Sequence, residues 1–229
     1  MPPLYTAALF DLDNTLWDRD AAIRATGRLL HETYPVVRAA ATVDEAEAKF
    51  AAFDERGLAG RERLIARTLE EWPGIGLPHD ELSNWYLQAS RSVLPPDPKV
   101  LPLLRDLNAA GVPWGIVTNG PSSGQHMTIR SRGLEGLTGC VIVSDEAGCR
   151  KPDPAIFRLA LDCLGLPPGR NVLFVGDDVA ADMVGAKDIG LSTAWVSNGQ
   201  SWPDGVGPPD HHVGHVSEVR PLLLGEQAG

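Results

Sequence analysis

The sequence predicts an α/β protein with a doubly wound, Rossmann-like parallel sheet and a separate, all-helical insertion. Three observations lead to this fold class. Short apolar runs recur along the chain, segments with helical periodicity separate them, and residues 17–93 contain helical patterns alone. Because strands that alternate with helices pair in parallel through right-handed crossovers, the repeating part predicts an open sheet with helices on both faces.

Strands are predicted where short apolar runs end in polar or turn residues. They are Ala7–Phe10, Trp114–Val117, Cys140–Val143, Val172–Val175 and Thr193–Val196, with His212–Val216 as a last edge strand. Helices are predicted where apolar residues recur every three to four positions and a glycine follows. They are Leu101–Ala110, Gln125–Arg132 and Pro154–Leu164, with a short helix at Ser217–Leu224.

The insertion is predicted to consist of helices separated by proline and glycine. These helices are Arg19–Tyr34, Val43–Arg56, Arg61–Trp72 and Asp80–Val93. The prolines of residues 95–98 then indicate a hinge that returns the chain to the sheet. The predicted domains are therefore an α/β core, residues 1–16 and 94–229, and a helical domain, residues 17–93.

Composition limits the partners that this chain is expected to bind. The formal net charge of -10 argues against a nucleic-acid polymer or an anionic membrane surface as partner. No apolar run approaches the length of a membrane helix, and the N-terminus lacks the pattern of a signal peptide, so a cytoplasmic location is expected. The three cysteines form no CxxC pair, which supports neither a disulfide framework nor a zinc site.

The first chemical signal follows the first predicted strand, where Asp11 and Asp13 stand two positions apart. Side chains alternate faces along an extended chain, so these two carboxylates tend to share one side. Their repulsion is relieved by a divalent metal or by a proton on one of them, which would then serve as a general acid. The alternative is a solvated turn, since Asp and Asn are ordinary turn residues.

Polar residues also follow the second and third predicted strands, at the sheet edge where ligands bind in open α/β folds. Thr118 and Asn119 precede Gly120 and a helix start, an arrangement that suits either a phosphate oxyanion or a helix N-cap. Lys151 lies in the loop after the third strand. Its compact positive charge suits phosphate and clustered carboxylates, whereas the alternative is a solvated surface lysine.

The fourth predicted strand ends at an acidic group of Asp177, Asp178 and Asp182. Asp178 is placed to cap the following helix, and Asp182 lies one turn later on the same face. Carboxylates this close are costly without a cation. Mg²⁺ fits them better than a metal that needs nitrogen or sulfur ligands.

In this order and spacing, the four motifs resemble those of the haloacid dehalogenase-like hydrolase superfamily. They are Asp11-Leu12-Asp13-Asn14-Thr15, Thr118-Asn119-Gly120, Lys151-Pro152, and Gly176-Asp177-Asp178 with Asp182. The resemblance implies a phosphatase in which Asp11 is the nucleophile and Asp13 the general acid and base. It also identifies the helical insertion with the family's α-helical cap, inserted after the first motif.

The same resemblance implies a set of binding residues. Thr118, with Asn119 beside it, and Lys151 would contact phosphate. Mg²⁺ would be held by Asp11, Asp177 and the backbone carbonyl of Asp13. Asp178 and Asp182 would support this site.

The resemblance leaves other chemistries open. A 2-haloacid dehalogenase lacks the second aspartate, present here as Asp13, while phosphomutases and phosphonate hydrolases share the helical cap. A phosphonate hydrolase needs a cap lysine, and Lys49, the only lysine there, stands near Glu45 as in a surface ion pair. A non-catalytic binding module usually loses the nucleophile. The expected substrate is a small phosphate monoester such as a nucleotide or sugar phosphate, and the oligomeric state is not predicted.

Overall fold

The computed structural model describes residues 2–57 and 59–225. It divides the chain into two compact units, one formed by Met1–Trp17 with Pro96–Gly229 and the other by Asp18–Pro95. We call them the sheet unit and the helical unit. Over the described ranges, none of the helices has the length and apolar character needed to cross a membrane.

The sheet unit contains a six-stranded sheet with the order β3-β2-β1-β4-β5-β6. The strands are β1 (Ala7–Phe10), β2 (Trp114–Thr118), β3 (Val141–Val143), β4 (Val172–Gly176), β5 (Ser192–Val196) and β6 (His211–Val213). Every neighbouring pair is parallel, which confirms the predicted α/β fold class. The strand order reverses on either side of β1, so the ligand-binding crevice of such a sheet is expected at the carboxyl end of β1.

The last strand is shorter than predicted, because the chain leaves the sheet at Gly214. The side chain of His215 accepts a hydrogen bond from the backbone N–H of Ser217 and so begins the 3₁₀ turn Val216–Val219. The last residue of the predicted strand, Val216, therefore belongs to this turn.

The helical unit contains five α-helices within its described residues. They are α1 (Arg19–Thr33), α2 (Pro35–Ala40), α3 (Val43–Asp54), α4 (Gly60–Glu71) and α5 (His79–Ser92). The sequence analysis missed α2 because it took Pro35 as a breaker. Proline at the first position of a helix begins one instead, since its missing N–H would have no partner there.

The helical unit has its own apolar core and a partly buried ion pair. Arg19 donates two hydrogen bonds to Asp54, at 2.7 and 2.8 Å, and Asp54 is buried. The sequence predicted a surface ion pair between Lys49 and Glu45, but the structure pairs Lys49 with Glu71. Glu45 instead closes the capping box at the start of α3.

The sheet unit contains the remaining helices. They are α6 (Val100–Ala109), α7 (Ser122–Ser131), α8 (Ser144–Ala147), α9 (Pro154–Leu164), α10 (Gly185–Asp188) and α11 (Arg220–Leu224), with a π-helical turn at Val179–Val184. The helix α7 begins at Ser122, at the helix start predicted after Gly120 and three residues before the range that shows helical periodicity. The short helix α8 was not predicted, because four residues are too few to show a helical period.

Both faces of the sheet are apolar, as a doubly wound fold requires. In β1, Ala8 and Phe10 belong to a core shared with α6 and α11, whereas Ala7 and Leu9 belong to a core shared with α9. Because successive side chains of a strand point to opposite faces, the two cores cover the two sides of the sheet. This packing holds the carboxyl ends of the central strands in fixed positions at one edge of the sheet.

Candidate active site

The sheet brings three of the predicted motifs to one edge. Asp11 follows β1, Thr118 ends β2, and Asp177 follows β4. Because β1 pairs with both β2 and β4, these residues lie at neighbouring strand ends. The backbone N–H of Asp11 donates to the carbonyl of Val175 and continues the β1–β4 ladder one residue beyond the strand.

The remaining motif, the third in the sequence, joins this edge through Lys151, which lies in the loop between α8 and α9. Its Nζ lies 2.5 Å from Asp11 Oδ1 and 2.6 Å from Asp182 Oδ1. All three side chains are buried, with 4% of Lys151, 5% of Asp11 and 1% of Asp182 exposed. Lys151 is therefore a buried cation between two carboxylates and not the solvated surface lysine of the alternative interpretation.

The buried charges shift one another's proton affinity. Burial raises the pKa of Asp11 well above its usual range, the ammonium of Lys151 opposes this, and the neighbouring carboxylates raise it further. Burial likewise raises the pKa of Asp182. For Lys151 burial alone would lower the pKa, but the charges of the two carboxylates outweigh it, so its pKa is raised and the side chain stays charged.

This edge also groups oxygen ligands that carry negative charge. Carboxylate oxygens of Asp11, Asp177 and Asp182 all lie within 4.8 Å of one another. Three carboxylates and the ammonium of Lys151 meet here among the described residues, and the ammonium pairs with Asp11 and Asp182. Among the residues that the structure describes, the buried Oδ2 of Asp11 has no hydrogen-bond partner. A set of oxygen donors with this charge suits a divalent cation such as Mg²⁺.

The carboxylate of Asp13 is held on both of its oxygens. The indole Nε1–H of Trp17 donates to Oδ1 at 2.8 Å, and the amide Nε2 of Gln125 donates to Oδ2 at 3.0 Å. The guanidinium of Arg132 lies over the ring of Trp17, 4.5 Å from its centroid. Asp13 is only partly buried, but these two hydrogen bonds fix the orientation of its carboxylate.

The second motif contributes one buried hydroxyl and one structural amide. The hydroxyl of Thr118 is buried and accepts a hydrogen bond from Gln125 Nε2 at 2.6 Å. The side chain of Asn119 donates to the carbonyl of Lys151 at 3.0 Å and accepts from its N–H at 2.9 Å. Asn119 therefore joins the loop of Lys151 to the end of β2, and its direct contact with phosphate stays a prediction.

The three aspartates that follow β4 have different environments. Asp178 accepts hydrogen bonds from the N–H groups of Ala180 and Ala181 and caps the π-helical turn, as its position predicts. Asp182 Oδ2 accepts from the N–H of Asp178 at 3.1 Å. The carbonyl of Asp177 accepts from the indole Nε1 of Trp195, on β5, at 2.8 Å.

Sequence reasoning missed three side chains at this edge. Gln125 and Trp195 show no signal in the sequence, because only strand pairing and the packing of α7 bring them to the motifs. Trp17 falls in the predicted helical domain, residues 17–93, whereas the structure groups it with the sheet unit. Its spacing of four residues from Asp13 is a weak signal that a turn would bring the two together.

Comparison with known proteins gives one family for most of the chain. The model of the haloacid dehalogenase-like hydrolases matches residues 5–190. A phosphoserine phosphatase of Thermus thermophilus is 32% identical over 159 residues, which are 69% of this chain and 63% of that protein. The pyrimidine 5'-nucleotidase YjjG of Escherichia coli is 31% identical over 165 residues, 72% of this chain and 70% of that protein.

A solved structure shows the same fold over almost the whole chain. It is the HAD-hydrolase YfnB of Bacillus subtilis, bound to magnesium, with a TM-score of 0.73 and 23% sequence identity. The match covers 95% of this chain and 98% of that one. By contrast, the aligned part of this chain spans less than two thirds of the Thermus phosphatase.

Proposed function

Since this chain belongs to the family of haloacid dehalogenase-like hydrolases, we propose that it is a Mg²⁺-dependent phosphatase that hydrolyses a small phosphate monoester. The observation that carries this proposal is the environment of Asp11. One oxygen of its buried carboxylate is paired with Lys151, while the other, Oδ2, has no hydrogen-bond partner among the described residues. A carboxylate that is oriented and desolvated in this way is suited to act as a nucleophile.

The reaction proposed for these residues has two steps. An oxygen of Asp11 attacks phosphorus and forms an aspartyl-phosphate, while the bond from phosphorus to the substrate oxygen breaks. Asp13 donates its proton to that leaving oxygen. Asp13 then takes a proton from water, whose oxygen attacks the aspartyl-phosphate, releases inorganic phosphate and restores Asp11.

The remaining residues of this edge are proposed to bind the phosphate group and to neutralise its charge. Lys151 and the hydroxyl of Thr118, with Asn119 beside them, bind the phosphate oxygens in this proposal. When bound, Mg²⁺ would supply positive charge that offsets the negative charge of the phosphoryl group.

The metal would be held by Asp11, Asp177 and the backbone carbonyl of Asp13. The grouped carboxylates and the unpaired oxygen described above fit this ligand set. Asp182 and Asp178 support this ligand set indirectly. Asp182 pairs with Lys151, and Asp178 caps the π-helical turn.

The helical unit, Asp18–Pro95, is proposed to be the cap that selects the substrate. Its place in the chain, between β1 and β2, and its own core support this role. The relatives named above act on phosphoserine and on pyrimidine nucleotides, so we propose a small phosphorylated metabolite of this general class. A nucleotide or sugar phosphate is the substrate class to test first.

A direct assay tests the proposal. Purified protein should release phosphate from p-nitrophenyl phosphate in the presence of Mg²⁺ and lose this activity when EDTA is added. The Asp11→Asn variant is the matched control, because it keeps the size of the side chain and removes the nucleophile. Release of halide from a 2-haloacid, or undiminished phosphatase activity in EDTA, would contradict the proposal.

A panel of phosphorylated metabolites then tests the role of the helical unit. If this unit selects the substrate, replacing it with a short linker should keep slow hydrolysis of p-nitrophenyl phosphate and remove the preference among metabolites. Unchanged ratios of kcat/KM across the panel in a folded, shortened protein would show that selectivity lies elsewhere.

A further inference from the structure

The two hydrogen bonds on Asp13 carry an inference that rests on the proposed function but goes beyond it. Each oxygen of this carboxylate accepts from a different side chain, Oδ1 from Trp17 at 2.8 Å and Oδ2 from Gln125 at 3.0 Å. Rotation of the carboxyl group about its own side-chain bonds would break at least one of them. The two donors therefore act together as a clamp on one orientation.

The orientation of the Gln125 amide follows from its surroundings. Its Nε2 faces Asp13 Oδ2, the hydroxyl of Thr118 at 2.6 Å and the carbonyl of Asn119 at 3.1 Å. A backbone carbonyl can only accept, so the group that faces it must be the NH₂ end of the amide. Gln125 thus connects Asp13 to the end of β2, where the second motif lies.

The positions of both donors are themselves fixed. Gln125 is buried and lies against Gly120, where an added Cβ would stand 3.1 Å from its Cδ and where the backbone φ is +147°. The indole of Trp17 packs on the apolar core that β1 shares with α6, and Arg132, itself buried, lies on its face. A rigid donor holds its acceptor better than a solvated one, because less side-chain entropy is lost when the bond forms.

We infer that Trp17 and Gln125 are positioning residues that hold the carboxylate of Asp13 in the orientation needed for proton transfer to the leaving group. A general acid must stand within hydrogen-bond reach of the atom that it protonates, so misorientation slows that transfer. The effect depends on the leaving group. A weakly basic phenolate departs without much help from a proton, whereas a strongly basic one needs it.

The test uses the variants Gln125→Met and Trp17→Phe. Each keeps a large side chain at its position and removes one hydrogen-bond donor to Asp13. Thr128→Val is the control for the first, because it removes a hydrogen bond within α7 that does not reach Asp13. Trp114→Phe is the control for the second, because it removes the indole bond to Asn108, at the start of β2 and away from its motif end. The substrates are substituted phenyl phosphates of similar size, from p-nitro to p-methoxy.

The value of kcat/KM reports the step in which the phenolate departs. We expect each clamp variant to lose about 10- to 100-fold in kcat/KM for p-methoxyphenyl phosphate, less than the full contribution of about 10²- to 10⁴-fold from general acid catalysis, because the carboxyl group is misoriented and not removed. For p-nitrophenyl phosphate the loss should be about threefold or less, so that the dependence on leaving-group basicity becomes steeper. The control variants should keep the slope of the wild-type protein. An equal loss for all phenols, or an unchanged slope in both clamp variants, would overturn the inference.

A crystal structure of each variant gives a readout that needs no activity. Asp13 should adopt a different side-chain orientation, or several, in Gln125→Met, and the wild-type orientation in Thr128→Val. The wild-type orientation in both clamp variants would overturn the inference. A wild-type protein that hydrolyses none of the phenyl phosphates would contradict the proposed phosphatase function instead, and the crystal structures would still decide whether the clamp holds Asp13.

Discussion

Replacement of Lys151 by methionine removes the charge at the centre of the site and nearly preserves the length of the side chain. The ammonium lies 2.5 Å from Asp11 and 2.6 Å from Asp182, and all three side chains are buried. Breaking a buried ion pair from one side costs about 3–5 kcal/mol, because it leaves an uncompensated charge. An exposed pair contributes only about 0–1 kcal/mol. We therefore expect the free energy of unfolding at pH 7 in EDTA to fall by about 3–5 kcal/mol.

This loss should depend on pH in a definite direction. Burial already raises the pKa of Asp11, and Lys151 is the main influence that lowers it, so the variant has a still higher pKa there. A folded state whose carboxyl pKa lies above the unfolded value binds the proton more tightly and loses stability as pH rises between the two. The stability deficit of Lys151→Met should thus be smaller near pH 5 than near pH 8.

Urea denaturation followed by circular dichroism, at several pH values and with EDTA present, measures this deficit. Lys187→Met is the matched control, because this lysine of the sheet unit bonds only a backbone carbonyl at the surface in the described contacts. Its expected change is within about 0.5 kcal/mol. A deficit below about 1 kcal/mol for Lys151→Met at pH 7, or one that does not change with pH, would refute the reasoning.

Three further outcomes are expected. Asp11→Asn should abolish turnover and prevent the trapping of ³²P on the protein in acid-quenched reactions, and label on any other residue would contradict its role. Asp177→Asn should raise the Mg²⁺ concentration needed for half-maximal activity by at least the roughly 10- to 100-fold that loss of a hydrogen-bond partner of a ligand typically causes, while an unchanged requirement would remove this residue from the ligand set. Arg19→Met should lower the stability of the helical unit by about 3 kcal/mol, because it leaves the buried Asp54 without its cation. Limited proteolysis that cuts first within Asp18–Pro95 would show that loss, and a variant as resistant as the wild-type protein would contradict it.

The fold class and the chemical motifs followed from local patterns. Apolar runs of four or five residues alternate with helical periods, and this alternation is enough to predict parallel strands with crossovers. The predicted family, recognised from four motifs in their order and spacing, is confirmed by the match over residues 5–190. Since parallel strands all end at one edge, the sequence also predicted that Asp11, Thr118 and Asp177 would lie together.

Element boundaries were less accurate where local signals conflict. Pro35 begins α2 and was taken to end α1, since proline carries the same local signal at either position. Val216, the last residue of the last predicted strand, belongs to a 3₁₀ turn, because His215 caps that turn. Such ends are decided by hydrogen bonds to side chains, which periodicity does not report.

The sequence by itself determined the fold class, the family and the residue types of the site. Only the tertiary structure decided which partner each residue has. Gln125 reaches Asp13 across 112 positions of the chain, and Lys151 reaches Asp11 across 140. Those contacts depend on strand order, register and the rotation of α7 on the sheet, which are set by packing of the whole core. A local pattern can predict that a carboxylate stands at a strand end, but it cannot predict which donor packing brings to each of its oxygens.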